Sequence, residues 1–463
     1  MPSSKVLGSI FFPTVFARRS LIATVVFVTV IGCSGGSNSE PTITAAPVDP
    51  TSTAFSTTES GPSDLTVEDL LASIERSIEE IRGIDTPPPV EHKFVDKAGM
   101  QERLAEELTD PEVLDQIVHE SALFKLLGVI PQDADLGAIY DSMFGSQVLG
   151  LYDPEKEKFF VLGDDKSGAE SIDTEAQLTY AHEYVHRLQD AKFDLEVIKD
   201  LATGDDMSLA ISALVEGDAI SVQTQYMLAN YDFAELSALL ESTLASQDEL
   251  PDSPYFLQKS LEFPYTEGAT FVSILIQLGG FAAVDAVFVD PPKSTEQVLH
   301  AEKYLDGELP VEVDIPDDAM GDGWSVQAEN VMGEFFMRTW LESLGATSAG
   351  EAAEGWGGDA YAVFENGSDD FALGMLIDWD ANEDAREFIA ALSKSMSVNE
   401  DYSPRGNGLQ GVFEAWEGPG GYLVISRWDA GDGSDRVGIA ITPSGAESHE
   451  LNHALTTADG LSR

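Results

Sequence analysis

Apolar positions recur with a helical period through most of the first two thirds of the chain, and with a strand-like period through the last third. The segment LTVEDLLASIERSIEEIR predicts a first amphipathic helix, capped by Asp64 or Thr66 and stopped by Gly83 and the run Pro87-Pro88-Pro89. Helical patterns follow at about 97–108 and 111–127. Two short strands, 147–152 and 158–162, are then predicted around the turn residues Asp153-Pro154. From 173 to about 278 the pattern is helical in several segments. The run 269–284 has no charged residue, but it is too short to cross a membrane and Gly279-Gly280 interrupts it. It predicts a buried core helix and its end.

Beyond a Pro- and acid-rich stretch at 309–323 the grammar changes. A helix is expected at 329–345, stopped by Gly345. Strands at 360–365 and 371–378 make a hairpin around Asn366-Gly367. Asp380 with Glu383 opens a further helix through about 394, in a capping-box-like pattern. Strands at 411–416, 422–428 and 437–442 complete the set. His449 and His453, four apart near the C-terminus, lack a buried pattern and predict a frayed end. The expected fold class is α+β: a mostly helical domain with a small sheet at 64–315, then a small α+β domain of helix-ββαβββ order at 325–450.

Composition narrows the function. The 463 residues carry 82 acidic side chains against 25 Lys plus Arg, a net charge of −57, while 43% are hydrophobic. That share supports a real core, so the charge belongs on surfaces. It also repels phosphate backbones, which excludes nucleic acid as a partner. Near the N-terminus, Arg18-Arg19 precedes an apolar run from Leu21 to Ile31, about half of the ~20 residues needed for a span. The tetrapeptide Val30-Ile31-Gly32-Cys33 resembles a bacterial lipobox. Residues 1–32 then form a lipoprotein signal peptide, and Cys33 is the lipidated first residue of the mature chain. The Ser-, Thr- and Pro-rich segment 33–63 is a flexible tether. The expected location is the outer face of the cell membrane, held by lipid. Cys33 is the single cysteine, so no disulfide framework exists.

The chemistry concentrates in TEAQLTYAHEYVHRLQD. His182, Glu183 and His186 form H-E-x-x-H, and two histidines four apart project from one face of a helix. They can share a Zn²⁺, leaving room for a third ligand and a water. Glu183 is placed to take a proton from that water. For the third ligand, Glu216 in ISALVEGDAISVQTQY is preferred, because a carboxylate among Leu214, Val215, Ala219 and Ile220 is costly unless it faces a cation. Gly217 beside it suggests that something large approaches there. Glu267, which repeats the Glu-Gly form, is the competitor, and Asp194 is a weaker one.

These residues are similar to the gluzincin class of zinc metallopeptidases, in which a glutamate on a following helix is the third ligand. The strings AHEYVHRLQDAKFDL, ALVEGDA and PPKSTEQVLHAEKY also resemble a group of bacterial HExxH lipoproteins, over roughly 140–310. The resemblance implies zinc on His182, His186 and Glu216, with Glu183 as general base in the hydrolysis of a peptide or protein substrate. Gluzincins often carry an aspartate four residues after the ligand glutamate to orient a zinc-bound histidine. Here that position is Ile220, which leaves Asp218 and Asp190 as candidates for the role. An oxyanion donor is to be sought among His300, Tyr265, Tyr226 and Tyr304. The alternative is a non-catalytic zinc-containing surface lipoprotein acting as a binding module.

Overall fold

The computed structural model describes residues 22–25, 66–88, 91–96, 98–102, 111–153, 158–162, 172–247, 253–368, 370–406, 414–430 and 435–458. Apart from 22–25, the expected signal peptide, the expected lipidation residue Cys33 and the expected tether lie outside the described residues. So does 103–110, most of the helix expected at 97–108.

The chain is a helical N-terminal region followed by an α+β region with a seven-stranded antiparallel sheet. Helix α1 (Val67–Arg82) starts at Thr66, whose Oγ1 accepts Asp69 N at 3.1 Å while Asp69 Oδ2 accepts Thr66 N at 3.2 Å. It ends at Gly83 in the left-handed conformation, as its sequence predicts. Strands β3 (Val148–Asp153) and β4 (Lys158–Leu162) form the expected hairpin. Two strands not anticipated flank it: β1 (Ile22–Val25) pairs antiparallel with β3, and β2 (Glu91–Val95) pairs parallel with β4. Helices α2 (Pro111–Leu127) and α3 (Leu136–Gln147) precede the hairpin.

The helical block that follows comprises α4 (Thr174–Phe193), α5 (Leu195–Lys199), α6 (Asp205–Asn230), α7 (Phe233–Gln247), α8 (Tyr255–Gly279), α9 (Phe281–Val289), α10 (Thr295–Leu299) and α11 (Ala301–Asp306). Helices α6 and α8 touch backbone to backbone. A Cβ on Gly217 would lie 2.2 Å from Gly268 O, and one on Gly268 would lie 2.2 Å from Ala213 O. The large object approaching Gly217 is therefore a second helix, and the repeated Glu-Gly form marks its two contact points. Helix α8 turns into α9 through Gly280, with a bend of 118°. The uncharged run 269–284 buries Phe271, Val272 and Leu275 but leaves Ile274 and Leu278 exposed. It is thus an amphipathic surface helix rather than a wholly buried one. Among the described residues, no single helix is long and apolar enough to cross a membrane.

In the C-terminal region the sheet order is β5-β6-β7-β11-β10-β9-β8. The elements are β5 (Trp324–Asn330), α12 (Gly333–Ser343), α13 (Ala349–Ala353), β6 (Trp356–Asn366), β7 (Phe371–Trp379), α14 (Asn382–Val398), β8 (Ser403–Arg405), β9 (Glu414–Gly418), β10 (Gly421–Asp429), β11 (Asp435–Thr442) and α15 (Gly445–Ala458). The expected hairpin and the last two strands are present. The helix expected from 329 begins only at Gly333, because Asp359 accepts both Met332 N and Gly333 N at 2.8 Å and fixes the helix start there. The polar residues before it pair with β6 instead. The frayed C-terminus is also corrected. Ser448, Leu451, Asn452 and Leu455 of α15 are buried at helical spacing, and the two small polar members hid that face from an apolar count.

One apolar core joins the two regions. The Phe256 and Phe336 rings stack at 5.3 Å, and Trp340 Nε1 donates to Leu127 O at 3.1 Å.

Candidate metal centre

Helix α4 starts on Asp173, which accepts Ala176 N at 2.9 Å. It is enclosed by α1, β3 and α6, so every residue from Leu178 to Gln189 is buried. Its apolar side chains pack against α1 and the small sheet: Tyr180 and Tyr184 each donate 2.6 Å hydrogen bonds, to Glu75 and Glu79 of α1. The opposite side carries His182 and His186, one turn apart, towards α6.

Helix α6 answers with Glu216. Its Oε2 lies 3.0 Å from His182 Nε2 and 3.4 Å from His186 Nε2, while the two Nε2 atoms are 3.0 Å apart. The three form a buried group that could hold a metal ion. A four-coordinate ion with ~2.0–2.1 Å bonds sets its ligand atoms roughly 3.3–3.4 Å apart, close to this triangle. The donor set of two imidazoles and one carboxylate suits zinc. Glu267 and Asp194 do not join the group. Glu267 is half-buried one turn from Phe263 and Phe271, and Asp194 caps α5 by accepting Val197 N at 3.3 Å.

Electrostatics favour ligand-ready forms. Burial lowers the pKa of His182 despite its contact with Glu216, so the ring is neutral and has a lone pair to offer. Burial alone would raise Glu216, but the two imidazoles overcome it and bring its pKa down to about 2. The carboxyl is therefore ionised.

Behind the ligands, the orienting group is neither of the two expected aspartates. Gln189 Oε1 lies 2.9 Å from His186 Nδ1, and Gln189 sits three residues after His186 on the same helix face. Asp218 stands one step further out, accepting Gln189 Nε2 at 2.9 Å. Asp190 turns the other way, accepting Tyr152 OH at 2.9 Å and pairing with Arg187. The Gln189 spacing is present in the sequence, but a neutral amide lacks the charge that marks a carboxylate as an orienting group. Asp218 in turn accepts Arg82 Nε at 3.0 Å, and Arg82, far away in the chain, could not have been placed by spacing.

Of the four candidate oxyanion donors, Tyr265 is at the centre, its ring 6.3 Å from that of His182. His300 pairs with Glu334 at 2.9 Å, Tyr304 donates to Asp290 O, and Tyr226 packs against Tyr231. Lys199, unforeseen, brings a buried ammonium into the field of Glu216, and burial pulls its pKa down to about 8. Glu183 is fully buried next to His182.

A family profile described as "Domain of unknown function (DUF8575)" matches residues 324–448, the sheet-bearing region and not the metal centre. No curated protein and no solved structure matches this chain.

Proposed function

We propose that the protein is a zinc-dependent hydrolase of peptide bonds, tethered outside the cell by lipid on Cys33. The observation that carries this reading is the convergence of His182, His186 and Glu216 with a buried Glu183 one residue along the same helix. Zinc, when bound, supplies the Lewis acidity that makes a water acidic enough to react near neutral pH. His182, His186 and Glu216 hold the ion. Glu183 takes the proton from the attacking water and returns it to the leaving amine. Tyr265, the candidate donor beside His182, supplies a hydrogen bond to the developing oxyanion. The acidic surface disfavours anionic partners and leaves uncharged or basic peptide segments as the better substrates.

A second reading draws on burial. His182, Glu183 and His186 are fully enclosed and Glu216 is 7% exposed, which also suits a metal held for structure. One comparison separates the two: zinc content and proteolysis of an unstructured, casein-type substrate by wild type and Glu183→Gln. The hydrolase reading expects equal zinc in both and at least a ~10³-fold loss of turnover in the variant. A variant with zinc and full activity refutes the role given to Glu183. Zinc-loaded wild type with no hydrolysis favours the structural reading.

A further inference from the structure

We propose that Arg82, on the helix following the tether segment, is a positioning residue for the metal centre, acting through Asp218 and Gln189 on His186. The proposal rests on the metal-binding half of the reading above and not on peptidase activity.

The argument starts at His186. Its Nε2 faces His182 and Glu216, so binding an ion there requires the proton to sit on Nδ1. Nδ1 meets the side-chain amide of Gln189 at 2.9 Å. An amide can present either end. Its oxygen accepts and fixes the proton on Nδ1, whereas its NH₂ would donate and push the proton to Nε2, where no metal could bind. Something must decide which end points at His186.

The far end of the amide is held by two acceptors. Gln189 Nε2 donates to Val215 O and to Asp218 Oδ2, both at 2.9 Å. An oxygen turned towards that pair would face a carbonyl and a carboxylate, so the NH₂ belongs there and the oxygen faces His186. Asp218 is fully enclosed, and an enclosed carboxylate persists in one place only if a cation and hydrogen bonds hold it. Arg82 does this. Its Nε lies 2.9 Å from Asp218 Oδ1 and 3.0 Å from Oδ2, with both side chains at 0% exposure. Its Nη2 donates to Asp285 Oδ1 at 2.8 Å, and its guanidinium lies 4.8 Å from the centre of the Phe281 ring. Asp285 is itself held by Lys192 at 2.5 Å.

The chain Arg82–Asp218–Gln189–His186 thus crosses α1, α6 and α4. It supplies by an amide what an aspartate at position 220 would supply by a carboxylate. It also makes α1 a part of the metal centre and not a cover laid over it.

A double-mutant cycle on the full chain tests this, read by competition for zinc with a chelating dye and by the visible spectrum of the cobalt-substituted protein. Gln189→Met should weaken zinc binding about 10–100-fold, as loss of an orienting partner does. Arg82→Met should weaken it about 5–20-fold with an altered cobalt spectrum, and the double variant should be no weaker than Gln189→Met alone. Arg82→Lys keeps the charge against Asp218 but gives up one anchor, and should fall between wild type and Arg82→Met. It completes the cycle if the methionine variant does not fold. Additive losses, or unchanged affinity in an Arg82 variant while Gln189→Met loses it, overturn the relay. Wild type that binds no zinc overturns the metal reading and the relay together, whereas zinc binding without proteolysis leaves the relay standing.

Discussion

The helical region and the sheet region bury different things. In the helical region the interior holds His182, Glu183, His186, Arg187, Gln189, Glu216, Asp218 and Arg82, all nearly inaccessible, and hydrogen bonds or ion pairs join Arg82, Asp218, Gln189, His186, Glu216 and His182 across α1, α4 and α6. In the sheet region the interior is dominated by Trp356, Tyr361, Phe364, Trp379 and Phe388. Three of its buried carboxylates are closed off within the region, while a fourth, Glu334 of α12, pairs with His300 of the helical region. Asp359 takes two backbone amides and Trp356 Nε1, while Asp378 and Asp435 pair with Arg436 and Arg427. Buried charge is costly unless matched. The helical region carries a connected set of it, which converges on the two imidazoles and the carboxylate of the candidate metal centre. In the sheet region Asp359, Asp378 and Asp435 each end instead on partners of the same region.

The sharpest test of that contrast is a single methyl group in each region. Alanine normally improves on glycine inside a helix by about 1 kcal/mol. At Gly217 the sign should reverse, because the new Cβ would meet Gly268 O at 2.2 Å and its carbonyl carbon at 2.3 Å, both backbone atoms that cannot step aside. Gly217→Ala should cost more than about 3 kcal/mol in urea unfolding, or prevent folding. Displacing the neighbouring Glu216 should weaken metal binding as well. Gly374→Ala in β7 meets the tip of the Leu451 side chain at 3.3 Å and the Phe364 ring at an ordinary 3.6 Å, and should cost less than about 1 kcal/mol. Equal costs would show that the two regions are packed to the same tolerance.

Between the regions lies a seam of charge. Lys303 Nζ contacts Glu296 at 2.6 Å, Glu308 at 2.8 Å and Asp380 of the sheet region at 2.7 Å. These three carboxylates have the spacing of a cation site, and the ammonium already fills it. Burial pushes Glu296 up to about 7 even with Lys303 beside it. Lys303→Met would leave that buried carboxylate unmatched, at a cost of about 2 kcal/mol. Calorimetry should then show the melting of the two regions drawing apart. A variant that melts in one transition at the wild-type temperature would mean that the shared apolar core alone couples them.

Much of the site was legible because a helix turns spacing into direction. His182 and His186 share a face by arithmetic, and Glu216 stood out as a carboxylate among Leu214, Val215 and Ala219. The α+β class and the hairpin at Asn366-Gly367 were legible for similar reasons, since turn residues and alternation act locally. What was hidden depends on contacts distant in sequence. The strand 324–330 needed β6 as its partner, and the start of α12 needed Asp359, so helical periodicity there predicted too early a beginning. Glu267 matched Glu216 in motif, and only helix packing revealed that both Glu-Gly pairs mark contact between α6 and α8. Gln189 was concealed by chemistry, being neutral in a place where a charge was sought.

The mildest test concerns Lys199, which separates charge placed for the site from charge placed for stability. Its Nζ is buried without a hydrogen-bond partner among the described residues. Burial lowers its pKa from 10.5 to about 8, against the pull of Glu216, Asp190 and Glu196. Below about pH 8 the folded and unfolded chains both carry the proton, and the folded chain bears the full cost of the enclosed charge. Between about 8 and 10.5 the unfolded chain binds more protons than the folded one, so this residue makes stability rise with pH across that window. Lys199→Met should therefore gain about 1–2 kcal/mol at pH 7, with the advantage fading towards pH 10, as unfolding curves at several pH values would reveal. If the proposed hydrolase retains this cation for the metal centre, the variant should lose turnover while gaining stability. A variant that gains stability and keeps full turnover would place Lys199 with the supporting charges of the sheet region, despite its position next to the site.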